Sequence, residues 1–247
     1  LKAIREKKHV LIEKPMAIKS EEVKILIEEA AKNNIKIMEG FMYAFHPQFD
    51  RIMNTIKSNI LGDISYAHSM FSFPIQPARF YRIDRSMENG GGALWDIGPY
   101  AIHTLRQCFK ENPKRVKAIA KLNEHDADIS TSGLIDFGNG KRATFDISFE
   151  CSRRSEFEAF GLLGRVKCPT VWQPGDKQAK IIINTESSGL TEEVVPAANH
   201  FVLEINHFNK AISSDLVPKL SNEDAFWNAK TLECIRHSVK EDDWVNL

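Results

Sequence analysis

The sequence predicts an α/β fragment followed by an α+β domain: a short parallel unit, then a mainly antiparallel open sheet with helices on one face. Three observations carry this expectation. The first forty residues alternate helix, strand, helix, strand. Six later segments have strand character, and two of them meet at an Asn-Gly turn. Two helical segments close the chain.

Leu1 to Lys8 has the charge and spacing of a helix end and runs directly into the apolar segment His9-Val10-Leu11-Ile12. Ser20 is expected to cap a helix with Glu21 and Glu22 in its first turn and Val23, Leu26, Ile27 and Ala30 on its apolar face. Asn33-Asn34 ends it, and Ile35 to Glu39 reads as a second strand. Such alternation is the pattern of parallel α/β units, and a parallel sheet of two strands is too small to stand alone. The expectation is therefore that the chain begins in mid-domain, with partner strands upstream. A helix is expected from Pro47 to about Ser58; His46 either lines a pocket near the domain junction or caps that helix, and the cap is favoured. Strands follow at 62–73, 116–122, 129–137, 142–149, 156–162 and 180–184, giving about five or six in the sheet. Phe137-Gly138-Asn139-Gly140-Lys141 is a hairpin turn, since Asn-Gly adopts positive φ at low cost. Helices are expected near 200–213 and 222–239, the first of them packing one face of the sheet with the helix near Asp96. Phe145, Ile147 and Phe149, or their neighbours, are expected on the other face, where a second copy would dock.

Of the 247 residues 43% are hydrophobic and 27% charged, as in an ordinary globular protein. Lys plus Arg balances Asp plus Glu at 33 each, which removes the basic field that nucleic acid or an anionic membrane would need. The longest apolar runs are strand-sized, far short of a bilayer span. Cys108, Cys151, Cys168 and Cys234 are scattered, with no Cys-x-x-Cys pair, so reduced thiols and a cytoplasmic location are expected. No set of His, Cys and carboxylates has ligand spacing, and no metal is expected.

Two segments carry chemistry. Glu13-Lys14-Pro15 stands at the C-terminal end of a predicted parallel strand, where open sheets bind ligands. Pro15 restricts Lys14 to extended backbone and so aims its ammonium; a solvated lysine at a strand end is the plain alternative. The second segment is Gly90-Gly91-Gly92-Ala93-Leu94-Trp95-Asp96-Ile97-Gly98-Pro99-Tyr100, continuing to His103. A helix starting near Asp96 would put Asp96, Tyr100 and His103 on one face beside a flexible glycine loop. A glycine hinge next to a core tyrosine is the plain alternative there.

Glu13-Lys14-Pro15 followed by Gly-Gly-Gly-Ala-Leu-x-Asp-Ile-Gly-x-Tyr resembles the glucose–fructose oxidoreductase/inositol dehydrogenase (Gfo/Idh/MocA) family. The closest branch holds dihydrodiol dehydrogenases, NADP-dependent xylose dehydrogenases and glucose–fructose oxidoreductase. Glu39 to Gln48, Leu61 to Ile64, Ile205 to Phe208 and Trp244 to Leu247 extend the likeness over the whole chain. The resemblance implies that residues 1–43 are the C-terminal remnant of a Rossmann dinucleotide-binding domain. Residues 44–247 would then be a substrate-binding and oligomerisation domain. The Gly-x-Gly-x-x-Gly fingerprint is not in this chain, and roughly 80 to 90 residues are expected before Leu1.

The implied activity is NAD(P)-dependent hydride transfer to or from a sugar, polyol or dihydrodiol. NADP, or else NAD, is the implied cofactor, touched by Glu13, Lys14 and Pro15. Lys14 and Tyr100 would be the catalytic pair, with the ammonium lowering the phenol pKa. Asp96, His103 and Arg79 would contact the small-molecule sugar or diol, and Tyr81 and Arg82 are further loop candidates. A homodimer or dimer of dimers would form through the open sheet, with no nucleic-acid or membrane partner. The rival is a non-catalytic sugar-sensing relative of the same fold; a paired lysine and tyrosine argues against it.

Overall fold

The computed structural model describes every residue of the chain except Asp176. It opens with α1 (Lys2–Arg5), β1 (Val10–Glu13), α2 (Ser20–Lys32) and β2 (Ile37–Gly40). β1 and β2 pair in parallel, from Val10 opposite Ile37 to Glu13 opposite Gly40. α2 forms as its apolar spacing dictates, with Glu21 and Glu22 in the favourable first turn. Ser20 does not cap it. Lys19 occupies the cap position without a side-chain bond, and the Ser20 hydroxyl instead donates to Glu233 at 2.7 Å.

α3 (Pro47–Lys57) follows, and His46 caps it by accepting from the Gln48 N–H at 3.1 Å. The rest of the chain is β3 (Ile64–Ser72), α4 (Ala93–Asp96), α5 (Gly98–Phe109), β4 (Arg115–Leu122), β5 (Asp128–Gly138), β6 (Lys141–Ser148) and β7 (Arg154–Gly161). β8 (Gly164–Cys168), β9 (Ala179–Thr185), β10 (Gly189–Val195), α6 (His200–Ser213), α7 (Asn222–Glu241) and β11 (Val245–Asn246) complete it. The strands from β3 onward form one nine-stranded sheet in the order β10-β9-β8-β7-β3-β6-β5-β4-β11. Only the β3–β6 pairing within it is parallel. The β5–β6 hairpin turns through Gly138, Asn139 and Gly140, all at positive φ.

The sheet is longer than the five or six strands expected. β8 is five residues of alternating charge and apolarity, β10 is an exposed edge rich in Thr and Glu, and β11 spans two residues. β8 is too short for its alternation to stand out, and β10 and β11 lack the apolar alternation of a half-buried strand. The expected facing of the sheet is reversed. Phe145, Ile147 and Phe149 are buried, and Ile147 packs under Gly98 of α5. The uncovered face carries Tyr66, His68, Met70 and Thr144 with charged pairs such as Arg165–Glu158 and Lys167–Glu156, both 3.1 Å.

The helix expected to start near Asp96 is two helices. Asp96 ends α4, Ile97 breaks the run, and α5 begins at Gly98 with Pro99 in its first turn. Pro99 has no N–H to continue the α4 ladder, so the break is chemical. α7 packs against α2 and β2 as well as β4, with Ala225 and Ala229 in the core of the N-terminal unit. The C-terminal helix thereby holds the short parallel unit against the sheet.

Candidate active site

Lys14 follows the last residue of β1, and the peptide to Pro15 is cis. Its ammonium donates to the backbone carbonyl of Asp96 and lies 3.3 Å from Asp96 Oδ1. The Arg82 guanidinium donates to the other carboxylate oxygen of Asp96. The aspartate is thus shared by two cations at the junction of the two structural units. Burial holds the Lys14 pKa below its usual value; the Asp96 charge opposes that shift and Arg82 adds to it.

Tyr100, in the first turn of α5, is packed edge-on by Phe41 and Phe71. Lys14 Nζ stands 4.8 Å from the centre of its ring. The phenol donates only to Met42 Sδ, at 3.6 Å, a weak acceptor. The expected lowering of the Tyr100 pKa by Lys14 is not found. Burial pushes it well up, and the carboxylates Asp96, Glu13 and Glu204 push the same way. The ammonium lies over the ring face and is already neutralised by Asp96. Tyr100 is therefore a phenol at neutral pH.

A cavity of about 470 Å³ opens over this group, lined among others by Glu13, Lys14, Arg79, Arg82, Asp96 and Tyr100. A second, of about 310 Å³, is lined by Pro15, Gly90, Gly92 and Tyr81 and shares Lys14, Arg82 and Asp96 with the first. These three form the partition between the cavities. A cavity of about 490 Å³ near Asn139 to Lys141 lies at the far end of β3 and holds no acid–base pair.

The glycine loop is shaped more by its own chain than by open space. A Cβ on Gly91 would fall 1.8 Å from the Arg85 carbonyl. One on Gly92, at φ +99°, would fall 1.8 Å from Asp128 Oδ1.

Of the expected site residues, Glu13, Lys14, Arg79, Asp96 and Tyr100 come together on one cavity, and Pro15 on its neighbour. His103 does not. It is wholly buried, stacked on Phe41 at 4.4 Å between ring centres, bonded to the Tyr43 hydroxyl, and 2.8 Å from Asp224 Oδ2. Its partners lie in the interior and it does not line the cavity, so His103 is not a substrate contact. Arg82, first placed only among loop candidates, proves central through its grip on Asp96. Gln173 and Phe73 also line the cavity; each comes from a distant segment with no motif to mark it.

Comparison with known proteins gives the family. Residues 1–41 match the model of the oxidoreductase family with NAD-binding Rossmann fold, and 49–167 match the GFO/IDH/MocA C-terminal domain. Together the two matches span more than half of the chain, which belongs to the GFO/IDH/MocA family of NAD-binding oxidoreductases. An uncharacterized oxidoreductase of Rhizobium meliloti is 29% identical over 99% of this chain and 74% of its own length. A trans-1,2-dihydrobenzene-1,2-diol dehydrogenase of Xenopus laevis is 29% identical over 74% of this chain and 54% of its own. Among solved structures, the 3-ketoreductase from Actinomadura kijaniata with NADP and TDP-benzene superposes with TM-score 0.87 at 26% identity, covering 96% of this chain and 73% of that one. The aldose-aldose oxidoreductase from Caulobacter crescentus, at 21% identity, shares the fold with TM-score 0.88 over 99% of this chain and 74% of its own.

Proposed function

We propose that Lys14 and Tyr100 are the proton-handling pair of an NADP-dependent carbonyl reductase acting on a sugar-like ketone or aldehyde. In this reading Asp96, Arg79 and Arg82 hold the substrate. The observation that carries it is the convergence of Lys14, Asp96 and Tyr100, from segments 82 residues apart, on one cavity at the C-terminal end of a parallel strand pair. That is where a ligand of an open α/β sheet belongs. The relatives support the substrate class: a 3-ketoreductase crystallised with NADP and a xylose dehydrogenase using NADP are among them. The ketoreductase has also been solved with one lysine replaced and with one tyrosine replaced.

The residues present fit a nicotinamide cofactor. Glu13 and Lys14, at the end of the parallel strand pair, line the cavity, and the Lys14 ammonium faces it. Glu13, Lys14 and Pro15 would hold its ribose side. When bound, the cofactor supplies or accepts the hydride; the protein handles the proton. A protonated Tyr100 is ready to donate to the oxygen of a carbonyl being reduced. Its present partner, a thioether, is readily exchanged for a carbonyl oxygen. Lys14 stands where its charge stabilises the developing alkoxide, while Asp96 keeps the ammonium in place. The reverse oxidation needs a phenolate, which burial disfavours here. The raised Tyr100 pKa therefore favours reduction near neutral pH.

The test is NADPH oxidation with keto-sugars, aldoses and diols. It should be run on this chain and on the chain joined to the nucleotide-binding segment of the Actinomadura relative. Turnover with a keto-sugar that is faster than the reverse oxidation at pH 7 is the expected result. Sugar binding with no turnover in the joined protein, with cofactor bound, would favour a sensor instead.

In the same reading, residues 1–43 serve the cofactor and 44–247 the substrate and assembly. The uncovered sheet face, with Tyr66, His68 and Met70 amid paired charges, serves as a homodimer surface. Met70→Glu at its centre is expected to shift a dimer towards monomer in sedimentation. Three buried cysteines and one exposed, all free, favour a reducing compartment. No helix among the described residues is long and apolar enough to cross a membrane.

A further inference from the structure

Lys14 sits on a loop and Asp96 ends a four-residue helix, and neither kind of segment holds side chains to fractions of an ångström without help. Each segment is tied from behind by a buried carboxyl group. Glu39, on β2 and 4% exposed, accepts the Met16 N–H at 2.7 Å, two residues beyond Lys14. Asp128, the first residue of β5 and wholly buried, accepts the Leu94 N–H at 2.9 Å, two residues before Asp96. Thr131 donates to the same Asp128 oxygen at 2.6 Å. Gly92, nominally the cap of α4, has no side chain to give. Asp128 supplies that cap from 34 residues away.

We infer that Glu39 and Asp128 are positioning residues: Glu39 fixes the Lys14 loop, Asp128 fixes the Asp96 helix, and together they set the Lys14–Asp96 contact. This rests on the reading of Lys14 and Asp96 as site residues. Neither carboxyl reaches the cavity, and each acts on a backbone N–H. Burial is the main reason both are proton-binding near neutrality, with Glu39 pushed up to about 8 and Asp128 to about 7. Such groups are costly to keep in a core unless hydrogen-bonded. The one bond each makes to a site loop is what their placement serves.

The inference has an internal sign test. Lys14 responds to its burial, to Asp96, to Arg82 and to Glu13. Glu39→Leu frees the Lys14 loop, and the ammonium moves into water. Its pKa then rises towards the ordinary 10.5. Asp128→Ala lets α4 fray and withdraws Asp96 from an ammonium that stays buried, so its pKa falls. General loosening would move both the same way, upward.

The experiment is NMR titration of ¹³Cε-labelled lysines, with the Lys14 signal assigned by its loss in Lys14→Arg. Shifts of opposite sign, each of roughly half a pH unit or more, are expected. Glu39→Gln and Asp128→Asn keep an acceptor oxygen and should leave Lys14 close to its original titration. Where a large change unfolds the protein, Glu39→Asp and Asp128→Ser shorten the acceptor and should give the same signs at smaller amplitude. Unmoved or same-sign titrations in folded variants overturn the inference. Absence of reductase activity would instead overturn the functional reading, because the titration needs no cofactor.

Discussion

Asp96 and His103 lie on either side of the Ile97 break, and each anchors an ionic cluster of a different kind. At the cleft, Asp96 is held by Lys14 and Arg82, whose side chains remain 11% and 28% exposed beside a cavity. In the interior, Asp224 is held by wholly buried His103 and nearly buried Arg106, each at 2.8 Å, with Tyr43 and Thr104 extending the network. The first cluster keeps hydrogen-bonding capacity facing open space. The second spends its capacity on itself and ties α7 to α5. Similar residue types therefore serve chemistry at the cleft and cohesion in the interior.

The interior cluster should be the more sensitive to stability. Asp224→Ala leaves His103 and Arg106 without their carboxylate, and breaking a buried pair costs roughly 3–5 kcal/mol. Denaturant unfolding should show that loss. Burial alone would raise the Asp224 pKa, but His103 and Arg106 outweigh it and hold it well below the usual carboxylate range. A depressed carboxylate gives stability that is present above its unfolded pKa and lost as pH falls towards its folded one. The wild-type protein should therefore lose this stability below about pH 4, and Asp224→Ala should have none of it to lose. An unfolding free energy within 1 kcal/mol of wild type would show that the interior pair is not a cohesive element.

The cleft cluster should respond in rate. Tyr100→Phe is expected to lower turnover by roughly 10²-fold in the cofactor-competent protein, while cofactor binding is unchanged. Its stability should move little, because the lost hydroxyl bonds only to a thioether. A reductase indifferent to Tyr100→Phe would transfer the proton role elsewhere in the cavity.

The two raised carboxyls give a pH dependence opposite to that of Asp224. A carboxyl with a raised folded pKa stabilises most below its unfolded pKa, and that stability is lost as pH rises through the folded value. For Glu39 the window runs from 4.5 to about 8. Thermal melts of wild type across that window should fall relative to Glu39→Gln, by roughly 1–2 kcal/mol once relaxation around the charge is allowed for. Parallel pH profiles would mean that Glu39 titrates normally.

Which parts of this were legible in the sequence follows from the range of the forces involved. α2, α3 and the β5–β6 hairpin are local matters of apolar period, a His46-Pro47 start and an Asn-Gly turn, and they formed where expected. The pairing of Glu13-Lys14-Pro15 with the glycine loop was legible because each motif is compact and ordered along the chain. What escaped depended on distant partners. His103 shares a helix with Tyr100, yet it faces Phe41, Tyr43 and, 121 residues on, Asp224, which hold it in the interior. In the sequence Arg82 is one loop cation among several; only the fold sets Asp96 between it and Lys14. Glu39 and Asp128 are acidic residues in strands, and nothing in their local sequence marks them as buried. The edge strand β10 lacks apolar alternation because a sheet edge does not need it, and β8, although it alternates, is only five residues long.

The smallest expected effect isolates what distinguishes the two clusters. Arg51 Nε reaches Glu193 at 2.6 Å in a two-pronged contact between α3 and β10, shorter than the 2.8 Å of either Asp224 pair. Distance alone would rank it the strongest of the three. Its side chains, however, are 44% and 30% exposed. Water screens the attraction, and holding two long side chains in one geometry costs entropy. Such exposed pairs are worth about 0–1 kcal/mol. A double-mutant cycle on Arg51→Ala and Glu193→Ala should return a coupling below about 1 kcal/mol, shrinking further in 0.5 M salt. The same cycle on Arg106 and Asp224 should exceed it several-fold and hardly respond to salt, because the screening ions cannot enter. Equal couplings for the two pairs would mean that contact distance governs these clusters, and the division between a cohesive interior and a chemical cleft would lose its physical basis.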